Sequence, residues 1–508
     1  MISAVWGAGL RGIDGFMVSA ECFVSGGVDE LSVIGLPDAS VNEAVERIRA
    51  AAVNCSLPLK HGAATVNLAP ADVKKVGAVY DLPMLISLLK FTLLSECDLS
   101  DKCFVGELSL GGELRPCRGA LSMAIAARDA GLREIYFPAE NAAEASMVEG
   151  ITVFGVRNIG ELCRHLRGSE LLAPAIFDRG AFRENSHILI DFADIKGQQT
   201  VKRAAEIAAA GGHNMLMIGP PGSGKSMIAK ALPGILPEMT FDEMLETTRI
   251  HSICGMLPEG RGVVDTRPFR SPHHTMSFAG LAGGGAVPMP GEISLCHNGV
   301  LFLDELPEFD KKALEVLRQP LEDKKITITR AGGKVTFPAS FMLVCAMNPC
   351  PCGYYGSTQK KCTCTPLGVR KYLSRISGPL LDRIDIQIEV PAVEFSQLND
   401  RTPAESSESV RRRVNAARAV AVERYRDFGV SSNGELDGTL TKRFCVPDGS
   451  AAALLETAFK KLGLSARGYD RILRLSRTIA DLEQSEYIGE DHVMEAIQLR
   501  SLDRKYFE

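Results

Sequence analysis

The sequence predicts an α/β protein in which a parallel-sheet domain with a C-terminal helical bundle follows an α+β domain. Before about residue 165, short strand-like runs alternate with helical ones, as in residues 16–23 and 42–52. The apolar run Met215–Ile218 leads into a glycine-rich loop and a helical pattern, which indicates a buried strand of a parallel sheet. From about Val393 onward the periodicity is helical.

Length, composition and charge limit the class of protein. A chain of 508 residues corresponds to about three domains, and 45% hydrophobic with 23% charged residues is typical of a soluble globular protein. Because the net charge is −5, nucleic-acid binding would require local basic patches. The chain opens on no signal-peptide pattern and has no apolar stretch of about 18 residues, so we expect a cytoplasmic protein that does not contact a membrane.

Residues 219–226 match the phosphate-loop pattern G-x-x-x-x-G-K-[ST]. Backbone N–H groups of such a loop surround phosphate oxygens, Lys225 reaches the outer phosphates, and the Ser226 hydroxyl can bind magnesium. The loop is expected to hold a nucleoside triphosphate, and a plain glycine-rich turn is the alternative. Its residues are Gly219, Pro220, Pro221, Gly222, Ser223, Gly224, Lys225 and Ser226.

Two further apolar runs end in residues suited to phosphate chemistry. Gly299–Leu303 ends in Asp304 and Glu305, where Asp304 can hold the magnesium shell and Glu305 can act as the general base. Phe341–Met347 ends in Asn348, which can orient the attacking water. An Asp-Glu pair is often only a strand exit, but a phosphate loop about 80 residues upstream favours the catalytic interpretation.

Alternating β-forming residues flank a glycine pair at 326–337, which predicts a β-hairpin. Arg330 and Lys334 lie at or beside its tip. The tip is either a solvated turn or, if six subunits form a ring, part of a collar that grips DNA phosphates in the channel.

Two other segments carry clustered cations. His273 and His274 are adjacent, and since neighbours on a strand point to opposite faces, a nucleic-acid or subunit contact is favoured over a shared metal ion. Residues 411–413, Arg418 and Arg424 give a helix a basic face that is either solvated or in contact with DNA.

Four of the fourteen cysteines fall within fifteen residues. They are Cys350, Cys352, Cys362 and Cys364. Two pairs separated by a loop suit tetrahedral coordination of a structural zinc ion, although zinc sites more often use C-x-x-C than C-x-C pairs. Free thiols are the alternative, and a disulfide is less favoured in a reducing compartment.

The N-terminal domain resembles the proteolytic domain of Lon-type proteases, through residues 106–116, a following helix and residues 134–138. That chemistry needs a serine nucleophile and a lysine base. Here residues 78–80, Ala-Val-Tyr, occupy the nucleophile region and Leu121 falls near the expected lysine. We therefore predict a non-proteolytic relative used for assembly or partner binding.

Gly197 and Gln198, about 20 residues before the phosphate loop, resemble the segment of AAA+ ATPases whose backbone helps to enclose the adenine. The order of this pair, the loop, a glycine-rich insertion, the Asp-Glu strand and the hairpin resembles the magnesium-chelatase-like branch of AAA+ ATPases. The hairpin insertion is shared with minichromosome maintenance helicases. Arg383 then suits a finger that reaches the neighbouring subunit's γ-phosphate, with Arg375 as the second candidate. The alternative is an intramolecular salt bridge with an aspartate such as Asp382 or Asp385. Arg467 matches the second sensor of the AAA+ lid.

With the Lon-like domain in front and the cysteine motif in the middle, essentially the whole chain resembles the ComM/YifB family. The resemblance implies a hexameric ATPase that uses ATP and Mg²⁺ and drives branch migration on single-stranded and branched DNA during natural transformation. The predicted segments are a degenerate Lon-like domain (1–168), a linker (169–188), an AAA+ domain (189–395) and a helical lid (396–508). An ATPase that remodels a protein complex or assists metal insertion is the alternative, and an active protease is disfavoured by the missing dyad.

Overall fold

The computed structural model describes residues 2–178, 190–258, 262–285, 287–330, 333–357, 360–393, 404–462, 464–500, 502, 506 and 507. The side chains of Arg330 and Leu462 lie outside the described part, as does the predicted linker from residue 179 onward. Among the described residues, no helix combines the length and apolar character that a membrane span requires.

The strands and helices are numbered in chain order. The strands are β1 Ile2–Arg11, β2 Asp14–Ser25, β3 Glu30–Ile34, β4 Ala63–Ala69, β5 Lys102–Phe104, β6 Glu107–Leu108, β7 Leu114–Arg115, β8 Glu134–Pro138, β9 Thr152–Val156, β10 Met215–Ile218, β11 Phe269–Arg270, β12 Gly283–Gly284, β13 Met289–Pro290, β14 Gly299–Leu303, β15 Lys325–Arg330, β16 Gly333–Pro338, β17 Phe341–Met347 and β18 Ile386–Glu389. The helices are α1 Ala39–Asn42, α2 Ala44–Asn54, α3 Asp81–Leu89, α4 Ala120–Asp129, α5 Ala142–Ala145, α6 Ile159–Leu166, α7 Gln199–Gly211, α8 Lys225–Ala231, α9 Phe241–Cys254, α10 Phe278–Ala282, α11 Glu292–Leu295, α12 Lys311–Glu315, α13 Arg318–Asp323, α14 Pro366–Leu373, α15 Gly378–Leu381, α16 Ser407–Arg424, α17 Gly438–Phe444, α18 Gly449–Leu462, α19 Ala466–Leu482 and α20 Glu490–Gln498.

Internal contacts divide the chain into two units. Unit 1 comprises Met1–Asn185 and Phe241–Asp265, and unit 2 comprises Ser186–Thr240 and Thr266–Glu508. Helix α9, which follows the phosphate-loop helix in sequence, therefore belongs to unit 1. The domain boundaries predicted from the sequence stay predictions.

Unit 1 is built on a mixed seven-stranded sheet with the order β3-β4-β2-β1-β5-β8-β9. Strands β1, β2 and β4 pair antiparallel, whereas β5, β8 and β9 run parallel to β1. Consecutive residues of β8 point to opposite faces: Tyr136 joins the apolar cluster of α2 and α3, while Ile135 and Phe137 join that of α4 and α5. Helices thus cover both faces of the sheet, and α9 packs against the second cluster.

Unit 2 contains the predicted parallel sheet, with five strands in the order β11-β14-β17-β10-β18. Strands β10, β14 and β17 are fully buried, which explains why they appear in the sequence as uninterrupted apolar runs. Helices α7, α16, α19 and α20 share one apolar core with this sheet. The α/β fold with a parallel-sheet domain and a C-terminal helical domain is confirmed.

Candidate functional site

The phosphate loop connects β10 to α8 and has the open geometry that a phosphate requires. Gly222 and Gly224 have φ values of 77° and 92°, and no atom lies within 4 Å of a Cβ built on either. The Lys225 Nζ donates to the carbonyl oxygens of Gly219 and Pro220 at 2.7 and 2.9 Å. Burial lowers the pKa of Lys225. The loop thus folds around its own lysine, whose charge phosphate oxygens would satisfy better than neutral carbonyls.

Ser226 and Asp304 come together as the magnesium prediction requires. The Ser226 hydroxyl donates to Asp304 Oδ2 at 2.7 Å. Adjacent oxygen ligands of one octahedral magnesium ion lie about 2.9 Å apart, given bonds of about 2.05 Å. The oxygen donor set and its spacing therefore fit Mg²⁺.

Glu305 follows Asp304 in the left-handed backbone region, with φ of 53°, and its side chain is 55% exposed. The Nδ1 atom of His274 lies 3.2 Å from Glu305 Oε2. His273 stacks on His274 with ring centroids 4.1 Å apart but contacts the Thr275 hydroxyl instead. The predicted general base is thus held by a histidine that the sequence associated only with nucleic-acid or subunit contacts. The sequence gives little indication of this pairing. The strand before His274, β11, has only two residues, which is too short for a recognisable strand pattern.

Asn348 and Gln198 also lie at the phosphate loop. Asn348 Oδ1 is 3.3 Å from Lys225 Nζ, because β17 runs between β10 and β14. Gln198, with φ of 57°, donates from Nε2 to the Pro391 carbonyl at 2.6 Å and the Ser223 carbonyl at 3.3 Å. Within the described part of the chain, the buried Gln198 Oε1 accepts no hydrogen bond. The two donated hydrogen bonds join the Gly197-Gln198 pair to the phosphate loop. Among the described residues, the Gln198 Oε1 acceptor stays without a donor.

The three candidate arginines differ in how they are held. The Arg383 side chain is 11% exposed, pairs with Glu322, and donates to the Pro379 carbonyl at 2.6 Å. Arg375 is 52% exposed and lies 2.8 Å from a carboxylate oxygen of Glu308.

Arg467 is at the start of α19, with Nη1 3.7 Å from Asp382 Oδ2. The neighbouring Asp385 is bound by Arg471 at 3.3 Å. Neither aspartate is therefore the salt-bridge partner of Arg383. The finger and sensor roles of all three arginines remain predictions.

The predicted hairpin is present as β15 and β16, in register from Lys325 opposite Pro338 to Arg330 opposite Gly333. Ile326, Ile328 and Phe337 are buried, whereas Lys334 is exposed. The turn residues 331 and 332 and the Arg330 side chain lie outside the described residues. One face of the hairpin therefore packs on the protein, and Lys334 is available beside the tip.

The four cysteines converge on one point. All four Sγ atoms lie within 4.8 Å of one another, and the Cys350 Sγ is 3.3 Å from that of Cys352 and 3.7 Å from that of Cys362. The backbone N–H of Tyr355 donates to Cys350 Sγ at 3.3 Å. The loop that carries the cysteines packs against the phosphate loop. A Cβ built on Gly353 would lie only 2.6 Å from Pro221 Cδ.

Three arginines of the basic face predicted for helix α16 bind other groups of the same chain. Arg413 pairs with Glu206 and Glu405, and Arg424 pairs with Asp481. Arg418 donates to the Ala209 carbonyl at 3.1 Å. Arg418 and Arg424 are therefore held by residues far away in sequence, whereas Arg413 keeps 42% of its side chain exposed and Arg412 is exposed as well. The choice between a solvated and a DNA-contacting face stays a prediction.

Unit 1 shows no proteolytic dyad at the positions where the resemblance would place it. Residues Ala78–Tyr80 form a short 3-10 helix in which Tyr80 is buried, and Leu121 is fully buried in α4. The neighbouring Ser122 hydroxyl donates to the Ile13 carbonyl at 2.8 Å.

Three family models and several relatives match the chain. The models described as magnesium chelatase, subunit ChlI, as subunit ChlI of Mg-chelatase and as the ChlI C-terminal part match residues 191–398, 20–141 and 404–500. The competence protein ComM of Haemophilus influenzae is 41% identical over 507 residues, covering 99% of this chain and 98% of ComM. YifB of Escherichia coli is 40% identical over 495 residues, covering 97% of this chain and 96% of YifB. The magnesium-chelatase 38 kDa subunit of Rhodobacter capsulatus is 24% identical over 328 residues, covering 59% of this chain and 84% of that protein.

Proposed function

Because this chain belongs to the ComM/YifB family of magnesium-chelatase-like AAA+ proteins, we propose that it is a ring-forming ATPase that works on DNA. The observation that carries the proposal is the meeting of the phosphate loop, the Ser226–Asp304 pair and Glu305 at the carboxyl edge of one parallel sheet. The name of the competence protein ComM supports a competence-related function. We propose DNA as the substrate and branch migration of recombination intermediates as the reaction.

The nucleotide would lie along the phosphate loop. Lys225 would exchange its carbonyl partners for the outer phosphate oxygens. Gln198 Oε1, which accepts no hydrogen bond from the described residues, would accept one from the nucleotide. Ser226 and Asp304 would hold Mg²⁺, which when bound neutralises charge on the phosphates. These contacts account for binding.

Hydrolysis needs a positioned water and a base. Glu305 is the proposed base, and Asn348, next to Lys225, would orient the water. We propose that His274 holds the Glu305 carboxylate when the protein is not engaged with its substrate. Arg467 in the same subunit and Arg383 from the neighbouring subunit would sense the γ-phosphate, which makes a ring of subunits necessary for turnover.

The hairpin supplies the proposed contact with DNA. Its buried face fixes its direction and Lys334 is exposed beside the tip. In a ring of six subunits, such tips would form a collar of positive charge that holds phosphates without regard to sequence. Closure around ATP and release after hydrolysis would move the hairpins along the strand.

We further propose that the cysteine cluster binds a structural Zn²⁺ ion. The Sγ separations of 3.3 and 3.7 Å approach the about 3.8 Å edge of a tetrahedron with Zn–S bonds of about 2.3 Å. Metal analysis of purified protein is expected to give one zinc per chain, lost in the Cys362→Ser/Cys364→Ser variant and kept in Cys97→Ser, whose thiol lies outside the cluster. Wild-type protein purified without metal would contradict this assignment.

The deciding experiment measures ATPase rate and oligomeric mass with and without single-stranded DNA, at low and moderate salt. We expect stimulation together with growth to a hexamer, both weakening as salt rises. Lys334→Ala is expected to lower DNA affinity and to reduce the salt slope by about 0.7. An unchanged slope would exclude the hairpin from the DNA contact.

A second function is favoured by the magnesium-chelatase relative, namely remodelling of a protein complex or assistance in metal insertion. In that case the hairpin would hold a protein. The same experiment separates the two, because single-stranded DNA would then neither stimulate hydrolysis nor promote assembly.

A further inference from the structure

The chain has an uneven charge distribution that the proposed active site does not explain. From Lys324 through Leu381, both included, there is no Asp or Glu, although the whole protein has a net charge of −5. Nine Lys or Arg residues fall in that interval. Some belong to the hairpin, but others lie in and after the cysteine cluster, outside both the ATP site and the hairpin.

These remaining cations lie on the cysteine loop and on helix α14, which follows it directly. Thr365 caps the helix by accepting a hydrogen bond from the Gly368 N–H at 3.1 Å, so the loop and helix are joined without a linker. Arg370 and Lys371 stand three and four positions after Leu367, which is 77% exposed, and therefore share its outward face. Eight residues of helix extend about 12 Å, which keeps both cations near the cysteine cluster.

The lysines and arginine of the cysteine loop and helix α14 have no acidic partner among the described residues. Within the described ranges, no carboxylate oxygen lies within 4 Å of Lys360, Lys361, Arg370 or Lys371, in contrast to Arg375, which pairs with Glu308. Lys360 instead sits over the Tyr354 ring at 4.6 Å from its centroid. The next residue, Tyr355, is 43% exposed. We call these six residues the cysteine-loop surface: Lys360, Lys361, Arg370, Lys371, Tyr354 and Tyr355.

We propose that the cysteine-loop surface is a second binding site for single-stranded DNA, a proposal that rests on the DNA-dependent function above. Unpaired cations beside an exposed aromatic ring are the combination that binds a strand through phosphates and stacked bases without sequence preference. An apolar protein partner would leave the cations unsatisfied. Because Gly353 packs against Pro221, a strand bound here lies next to the phosphate loop, which gives DNA a short route to the ATP site.

The test uses the full-length protein and a fluorescent oligothymidine of about 30 nucleotides, titrated over a range of salt concentrations. Lys360→Ala/Lys361→Ala is expected to reduce the magnitude of the salt slope by about 1.4, since each single-strand phosphate contact contributes about 0.7. The matched control is Lys311→Ala/Lys312→Ala, an equally exposed lysine pair that has the acids Asp310 and Glu315 beside it. The control is expected to keep the wild-type slope.

Tyr355 gives a readout that is independent of charge. Tyr355→Ala is expected to weaken binding about tenfold through lost stacking, whereas Tyr355→Phe keeps the wild-type affinity. An unchanged slope in Lys360→Ala/Lys361→Ala, or equal loss in both lysine pairs, would overturn the proposal.

Two further outcomes distinguish a subunit contact from a failure of DNA binding as such. If Lys360→Ala/Lys361→Ala loses ring assembly in mass measurements while its slope is unchanged, the surface contacts a second copy of this chain and the proposal is wrong. If the wild-type protein does not bind the oligothymidine at all, the DNA-dependent function itself fails.

Discussion

The polar groups at the phosphate loop of unit 2 differ in their surroundings from the buried carboxylates of unit 1. In unit 1, the fully buried Asp81 accepts from Arg47 at 2.6 and 3.0 Å, and the buried Glu144 accepts from Asn141 at 2.8 Å. In unit 2, Lys225 and the Ser226–Asp304 pair lie at the open phosphate loop instead. These carboxylates of unit 1 are bound by side chains of the same unit, whereas Lys225 and the Ser226–Asp304 pair lie where a ligand would meet them. Elsewhere in unit 2, buried pairs such as Arg424–Asp481 are internal, as in unit 1.

The difference follows from sheet topology. In unit 2 all five strands are parallel, so the residues after β10, β14 and β17 arrive at a single edge. In unit 1 the antiparallel strands β1, β2 and β4 deliver their ends to opposite edges, and no equivalent convergence results. Similar α/β elements therefore yield a scaffold in one case and a candidate catalytic edge in the other.

The largest expected effect tests whether the unit 2 site is completed by a neighbouring copy. Arg383→Ala is expected to lower ATP turnover by about 10³-fold or more, as for other arginine fingers. Mixing it with Lys225→Ala subunits should restore part of the activity, because each variant supplies what the other lacks at a shared site. If the mixture stays inactive while Arg375→Ala with Lys225→Ala recovers, Arg375 is the finger.

The next effect tests the base at the same edge. Glu305→Gln is expected to keep nucleotide binding, since Glu305 contacts neither Lys225 nor Ser226, and to lower turnover by about 10²- to 10⁴-fold. Binding of a fluorescent ATP analogue and steady-state hydrolysis measure the two quantities separately. Brisk hydrolysis by this variant would remove Glu305 from the catalytic role.

A stability measurement addresses unit 1. Burial raises the pKa of Glu144 to about 7, so the folded protein binds a proton more tightly than the unfolded chain. The free energy of unfolding is therefore expected to fall as the pH rises from about 4.5 to about 7, by on the order of 1–3 kcal/mol. Glu144→Gln, which keeps the neutral form, should show a flatter profile over this window.

The measurement is selective because the chain has one tryptophan, Trp6, on β1 of unit 1. Urea denaturation followed by its fluorescence therefore reports on unit 1. Burial and the Glu144 charge hold the pKa of Cys117 far above this window, so that thiol does not contribute. Parallel profiles for wild type and Glu144→Gln would contradict the assignment.

Much of the fold could be predicted because long elements have strong periodicity. The pattern predicts a helix at residues 466–482, and these residues form α19 with the same bounds, capped by Ser465. The helical pattern of residues 139–148 likewise predicts one helix, and this prediction is wrong in length: a 3-10 turn and the four-residue α5 occupy that segment. Asn141, where the turn meets the helix, binds the backbone of Cys117 through its side chain, a contact between distant residues that local periodicity does not show.

The candidate site also has residues that the sequence reveals and contacts that it does not. Lys225, Asp304, Glu305 and Asn348 could be found because each follows an apolar strand that the pattern reveals. The contacts of Glu305 with His274 and of Arg383 with Glu322 could not, since partners about 30 and 60 residues apart leave no mark on local periodicity. Tertiary packing, not local sequence, decides which charges meet.

The smallest expected effect concerns His274, the partner of Glu305. A carboxylate held by His274 is less free to turn toward the attacking water, so His274→Ala is expected to raise ATP hydrolysis without DNA by roughly threefold. The magnitude follows because a half-exposed pair contributes at most about 1 kcal/mol. His273→Ala is the comparison variant, since His273 contacts Thr275 rather than Glu305. Because its ring stacks on His274, a rise smaller than that of His274→Ala is expected. If the hydrolysis rate of His274→Ala instead falls to that of Glu305→Gln, the imidazole orients the base rather than restraining it. The unit 2 site would then resemble unit 1 in depending on an internal pair.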